Sequence, residues 1–249
     1  GQSPRTIVLY MLVGAMQLGI MYLLAFRAYL YLTVSEFLLF TVFTPLYITL
    51  IYDLLSGRKL RWGYLLSAAL AVLGAAIIRY DKVSDHFWTG LLLVQLSNLC
   101  FAIGMVGYKR LMEVRPMPQH NAFAWFYVGA FIVAVAAWFM LGNAQKLPTT
   151  TLQWSVLVWL GVVASGLGYF MWNYGATQVD AGTLGIMNNV HVPAGLLVNL
   201  AIWQEQPHWP SFISGALVIL ASLWVHRRWV APHSGQTADD RRRGSAQSE

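Results

Sequence analysis

Residues 184–195 read LGIMNNVHVPAG, and four of them can do chemistry that a run of aliphatic side chains cannot. Asn188 and Asn189 each bring amide donors and an acceptor, and His191 brings an imidazole that titrates near neutrality. Pro193 has no N–H to give to the carbonyl four residues back, so it leaves the Asn189 oxygen without its helical partner. Leu184, Asn188, His191, Gly195 and Asn199 recur at intervals of three and four and therefore share one helical face. Such a face can hold the ureido, amide or carboxylate groups of a small ligand, or pass a proton; the same amides and imidazole can equally be satisfied by neighbouring helices. Pro45 does the same to the Thr41 carbonyl, with Thr41, Thr44 and Tyr47 around it. Each proline has two readings, the wall of a polar cavity or a plain packing kink.

Other groups are spaced for similar work. Gly161, Ser165, Gly168, Trp172 and Gly175 form a stripe that is small except for one indole, which suits close helix packing. Trp172, with Asn173 beside it, can also cover a bicyclic or aliphatic ligand. Gln95 and Asn98 share a face, and Tyr108, Lys109 and Arg110 follow at the end of the same run. The two cations read either as topology anchors or as partners for an anionic ligand. Arg27 and Glu36 flank a tight joint and can pair across it; the sharper reading gives Arg27 a ligand carboxylate. Gln17 and Tyr22 are weaker candidates, and Trp88, Trp125, Trp138, Trp154, Trp203 and Trp209 fall toward the ends of apolar runs, as interfacial anchors do.

The elements that must position these groups are membrane helices. The chain is 57% hydrophobic and only 10% charged, with a mean hydropathy of +0.55, whereas soluble domains are about 25% charged. Apolar runs of about 20 residues, enough to cross a hydrocarbon core of about 30 Å, fall at 7–32, 35–55, 62–80, 87–112, 122–141, 152–179, 182–203 and 211–225. The tail 231–249 is polar and is expected to be disordered. The net charge of +6 belongs to the joints between runs, which argues for topology rather than nucleic acid. Arg5, Arg58, Lys59, Arg61, Lys109, Arg110, Arg115, Arg227, Arg228 and the arginines at 241–243 sort to one side, against Arg27, Arg79, Lys82 and Lys146 on the other. The first side, with the C-terminal tail, is thereby expected in the cytoplasm. The single cysteine, Cys100, excludes an internal disulfide, and no cofactor or metal site is read. Nucleotide-binding and hydrolase motifs do not occur, and Asp53 and Asp180 fall at run ends rather than mid-span, so an enzyme is not expected.

An internal repeat organises the runs. At a shift of 148, Ala28 meets Ala176, Ser35 meets Thr183, Pro45 meets Pro193, Tyr64 meets Phe212 and Ala68 meets Ala216. At 147, GAMQLG (14–19) meets GVVASG (161–166). Residues 87–228 then form a half of five spans and residues 1–80 the last three of another, so the plan calls for two further spans ahead of Gly1 and a parent of ten helices. An odd number per half inverts one half relative to the other.

The stretches GLLLVQLSN, FAIGMVGYKRLMEVRPMPQHNAFAWFY, VVASGLGYFMWNYGATQVDAGTLGIMNN and HVPAGLLVNLAIW resemble the drug/metabolite transporter superfamily, in its EamA branch that handles carboxylates, amino acids and amines. The resemblance implies an all-α polytopic membrane bundle of two inverted-topology repeats, working as a secondary transporter of the bacterial inner membrane by alternating access. It implies a small-molecule substrate, biotin or a related carboxylate metabolite foremost. An amino-acid or metabolite exporter of the same superfamily, and a scaffold without substrate, stand as the alternatives.

Overall fold

A computed structural model of the chain describes residues 3–32, 37–38, 40–57 and 87–190, with scattered positions between 66 and 73 and between 194 and 224. Most of the span expected at 62–80, much of those at 182–203 and 211–225, and the whole tail 231–249 lie outside the described residues. Regular structure among the described residues is helical throughout, without strands. The first span is α1 (Pro4–Gly14), a π-helical stretch (Ala15–Ile20) and α2 (Met21–Ala28) in one continuous rod. A 3-10 turn (Thr41–Phe43) leads into α3 (Thr44–Leu55), and two long helices follow, α4 (Phe87–Val114) and α5 (Gln119–Leu141). Another rod joins α6 (Thr151–Trp159), a second π-helical stretch (Leu160–Gly168) and α7 (Tyr169–Ala176); α8 (Ala181–Asn188) comes last. Four of these, Pro4–Ala28, Trp88–Val114, Gln119–Leu141 and Thr151–Ala176, are long and apolar enough to cross a membrane.

Local chemistry sets several of the ends. Pro4 sits in the first turn of α1, where its missing N–H costs nothing. Thr150 and Gln153 make a reciprocal capping box that starts α6: the Gln153 N–H donates to the Thr150 hydroxyl while the Gln153 side chain accepts from the Thr150 N–H. The Asp180 carboxylate accepts from the N–H groups of Gly182 and Thr183 at 2.9 and 3.0 Å, and from the Thr183 hydroxyl at 2.7 Å, so it caps α8. Gly57, at φ +60°, turns the chain out of α3 in the left-handed conformation that other residues avoid.

Side chains are distributed for hydrocarbon. Val8, Phe26, Phe131, Phe139 and Leu152 face outward, whereas Gln17, Ser97, Asn98, Lys109, Asn173 and Asn189 are buried. The ends of Trp88–Val114 fix its direction against the first rod, because Arg115 reaches Thr6 while Gly90 lies beside Leu32. The rod Thr151–Ala176 also runs antiparallel to the first, with Asn173 against Gln17 and Ser165 against Tyr22. Residues 151–163 are exposed on every side, and this rod joins the bundle through its second half.

Backbones touch where α1 crosses α5. A Cβ placed on Gly14 would lie 1.8 Å from the Phe126 carbonyl oxygen, and one on Gly129 would lie 1.8 Å from that of Met11. Gly104 of α4 likewise admits the backbone of Gln17, whose Cα would be 2.7 Å from an added Cβ. By contrast, no described atom comes within 4 Å of an added Cβ at Gly161 or Gly175, so these two members of the small-residue stripe make no close helix contact among the described residues. Gly129→Val should therefore lower the melting temperature of the detergent-solubilised protein by the equivalent of about 1–3 kcal/mol or more. Gly175→Ala should leave it unchanged or raise it slightly, by up to about 1 kcal/mol; equal melting temperatures for the two variants would refute the backbone contact.

Candidate functional site

Around Pro45, read from sequence either as a cavity wall or as a packing kink, the Thr41 carbonyl finds its partners within its own turn. The chain tightens to a 3-10 turn ahead of the proline, so the Thr44 N–H reaches back three residues to Thr41 instead of four to Phe40. The Thr44 hydroxyl donates to the same Thr41 oxygen at 2.7 Å, and the Thr41 hydroxyl donates to the Leu38 carbonyl at 2.8 Å. Both threonines thus spend their hydroxyl protons on their own turn. The carbonyl left over is that of Phe40, and α4 supplies its donors: Gln95 Nε2 at 3.0 Å and Asn98 Nδ2 at 2.9 Å. The Tyr47 hydroxyl, one turn beyond the kink, donates to Gln95 Oε1 at 2.9 Å and fixes that amide. Gln95, which shares Asn98's face, has a part that periodicity could not assign.

The two helices that the repeat pairs meet at this point. Gly185 of α8 lies over Pro45, where an added Cβ would come 3.3 Å from the proline carbonyl. That register turns Asn188 and Asn189 inward, at 8% and 0% exposure, away from the lipid face. His191 and Pro193 lie outside the described residues, as do Asn199 and Glu36, the expected partner of Arg27. Arg27 itself is exposed in the last turn of α2, where a cation suits the helix dipole.

Asn173 is fully buried in a reciprocal amide pair with Gln17: Gln17 Nε2 donates to Asn173 Oδ1 at 2.9 Å and Asn173 Nδ2 donates to Gln17 Oε1 at 3.0 Å. Trp172 is half-buried against the cluster of Ile48, Tyr52 and Met105, with its Nε1 directed at Met105 Sδ, 2.9 Å away. Farther up the same rod, the Tyr127 hydroxyl lies between the carbonyls of Ser165 and Gly166, 2.6 Å from the latter, and Tyr22 Oη stands 3.3 Å from Ser165 Oγ. These hydroxyls form the floor of an open, mainly apolar cleft of about 630 Å³ between the first rod, α5 and the second π-helical stretch, walled by Phe26, Phe131, Trp138 and Leu141.

Toward the opposite end of the bundle lies a polar knot. Lys109, read from sequence as a topology anchor or an anion partner, is 5% exposed. Its ammonium donates to the Val179 carbonyl at 2.7 Å, stands 3.3 Å from Glu113 Oε1, and lies over the Tyr52 ring. Glu113 also receives Arg110 Nη1 at 2.8 Å and the Tyr52 hydroxyl at 3.0 Å. Close by, the Tyr108 hydroxyl donates to Gln119 Oε1 at 2.6 Å, and Gln119 Nε2 donates to the Thr177 hydroxyl at 3.3 Å. Sequence reasoning did not single out Tyr52 or Glu113; the spacing of four between Lys109 and Glu113 was the available signal.

Apolar helices of membrane length, with amides and an ammonium turned inward, make this a multi-pass membrane protein. The profile of the EamA-like transporter family matches residues 88–227, and the chain belongs to that family. A protein of Escherichia coli (strain K12) named "Biotin transporter" is 82% identical over 249 residues, which is 100% of this chain and 83% of that protein. A protein of Pseudomonas aeruginosa named "Probable biotin transporter" is 52% identical over 229 residues, covering 91% of this chain and 80% of its own length. A crystal structure 16% identical in sequence superposes with a TM-score of 0.73 over 92% of this chain and 79% of its own, a likeness of fold.

The buried amide pair makes a sharp prediction. Asn173→Leu leaves the Gln17 amide unsatisfied and should cost about 1–3 kcal/mol of stability, whereas Gln17→Met combined with Asn173→Leu should recover a large part of that loss. Thermal unfolding of the four proteins of this double-mutant cycle checks it, and strict additivity would remove the pair.

Proposed function

We propose that this protein is a secondary carrier that takes up biotin across the bacterial inner membrane by alternating access. The observation that carries this reading is 82% identity along the whole chain to a protein named "Biotin transporter". Four features support the carrier mechanism. The repeat pairs the first rod with Thr151–Ala176 at a shift of 147, and each rod carries a π-helical stretch at the matching place, Ala15–Ile20 and Leu160–Gly168. These two rods run antiparallel and touch through Tyr22 and Tyr169, themselves 147 apart, as an inverted repeat requires. Gly185 of α8 packs on Pro45, so the second pair of equivalent helices also meets at the centre. The cleft lies toward one end of the bundle and the polar knot toward the other, an asymmetry that suits alternate opening.

In this reading residues 1–80 are the last three helices of the first repeat, 87–228 the five-helix second repeat and 231–249 a cytoplasmic tail, with two further helices completing a ten-helix plan. The basic residues put the knot end in the cytoplasm and the cleft outside. A substrate with a ureido ring and a carboxylate needs acceptors for its two N–H groups, a donor for its carbonyl and a cation. Asn188, Asn189 and His191 are the candidates for the first two kinds, together with Trp172 and Tyr47, which pack against the cluster that includes Leu184 of α8, and Arg27, exposed in the last turn of α2, is the candidate cation. Asn98, Thr41, Thr44 and Asn173 hold the kink and the rods in place behind them, with Pro45 and Pro193 as the hinges.

Labelled biotin uptake by cells that lack other uptake routes and carry the full-length protein tests the proposal. His191→Ala and Asn188→Ala should each reduce uptake at limiting biotin about tenfold, the value of one hydrogen bond of about 1.4 kcal/mol, at unchanged abundance in the membrane. Absence of uptake by the wild type sinks the substrate; wild-type kinetics in both variants sinks the site. A proton carried by His191 further requires that a protonophore slow accumulation, and undiminished accumulation would refute coupling.

A further inference from the structure

We propose that Lys109, Glu113 and Tyr52, with the Val179 carbonyl, form the inner gate of the transport cycle, a knot that holds the cytoplasmic end shut while the cleft is open and must part before substrate can leave. The inference rests on the carrier reading above and adds to it the residues that close one side.

The partners of the knot come from both halves. Tyr52 belongs to α3 in the first, whereas Lys109 and Glu113 lie on α4 and Val179 on the turn ahead of α8 in the second. An anchor for topology needs only to reach the headgroups with its charge, yet this ammonium is turned inward and almost fully covered. A charge in such a place is tolerated only with an anion and further hydrogen-bonding groups around it, and here one carboxylate, one backbone oxygen and one aromatic face provide them. The aromatic contact and the Tyr52–Glu113 hydrogen bond reach across to α3, and the bond to Val179 ties down the turn that launches the helix carrying Asn188 and Asn189. Separating α3 from α4 at this end therefore breaks the tyrosine bond to Glu113 and removes the ring from Lys109 together.

The tyrosine of the knot is not repeated in the second half. The shift that carries Pro45 to Pro193 carries Tyr52 to Leu200, which has no hydroxyl to donate. The described groups differ accordingly, specific polar bonds toward one end and a mainly apolar cleft toward the other. A set of bonds that is made and broken as a unit is what one face of an alternating-access carrier requires.

Accessibility of introduced cysteines in the full-length protein tests the gate without reference to transport. In a Cys100→Ser background, Val179→Cys reports on the knot and Leu141→Cys on the mouth of the cleft. A membrane-impermeant maleimide is applied from the cytoplasmic side for the first, in inverted vesicles, and from the outside for the second, in whole cells. Adding Tyr52→Phe, which removes one oxygen, or Glu113→Gln, which keeps the shape and removes the charge, should raise labelling at position 179 at least threefold and lower it at 141. Unchanged labelling at 179 in both variants overturns the gate, and so does a rise at both reporters, because general loosening of the fold would do that. A rise at 179 with a fall at 141 in a protein that does not move biotin leaves the gate standing and removes only the substrate.

Discussion

Hydrocarbon offers no partner to a polar group, and the arrangement of this protein follows from that constraint. Its clearest expression is the Phe40 carbonyl. A proline at position 45 disturbs the backbone ladder, a 3-10 turn moves the vacancy from Thr41 to Phe40, and two amides of another helix fill it. Because Gln95 and Asn98 are thereby fixed at the kink, α3 and α4 are held side by side, and Tyr52 arrives at Glu113 about three turns farther down. One orphaned oxygen sets the register of two helices over most of their length.

The same constraint explains why glycine marks the crossings. Helices in lipid gain little from burying apolar area against one another, so close backbone approach and interhelical hydrogen bonds do the joining. Gly14 and Gly129 bring α1 and α5 to backbone contact, and Gly104 lets Gln17 sit deep enough to reach Asn173. The two π-helical stretches lie beside these joints, one carrying Gln17 and the other presenting its Ser165 and Gly166 carbonyls to Tyr127. A helix that departs from regular winding at such a place can change its twist with small local rearrangement.

The two ends of the bundle differ in the kind of interaction that closes them. Charge and backbone oxygen meet at the Lys109 end, whereas aromatic and aliphatic walls surround the cleft at the other. Polar bonds of that kind are directional and are lost at small displacements; apolar walls slide with little cost.

Much of the design was legible in the amino-acid sequence. Run length and composition established membrane helices at 4–28, 87–114, 119–141 and 151–176 to within a few residues, because the bilayer sets span length and excludes charge from it. The Thr150–Gln153 box and the Asp180 cap are local and could be read from spacing alone. Periodicity also put Gln95 with Asn98 on a shared face. It could not say what that face meets, since the repeat of a helix reports direction around its own axis and nothing about its neighbour. The Gln17–Asn173 pair joins positions 156 apart, the Phe40 carbonyl became the orphan only once the turn tightened, and Lys109 proved to be buried rather than snorkelling. Those outcomes belong to tertiary structure, because a buried polar group is satisfied by whichever helix the crossing angles bring to it.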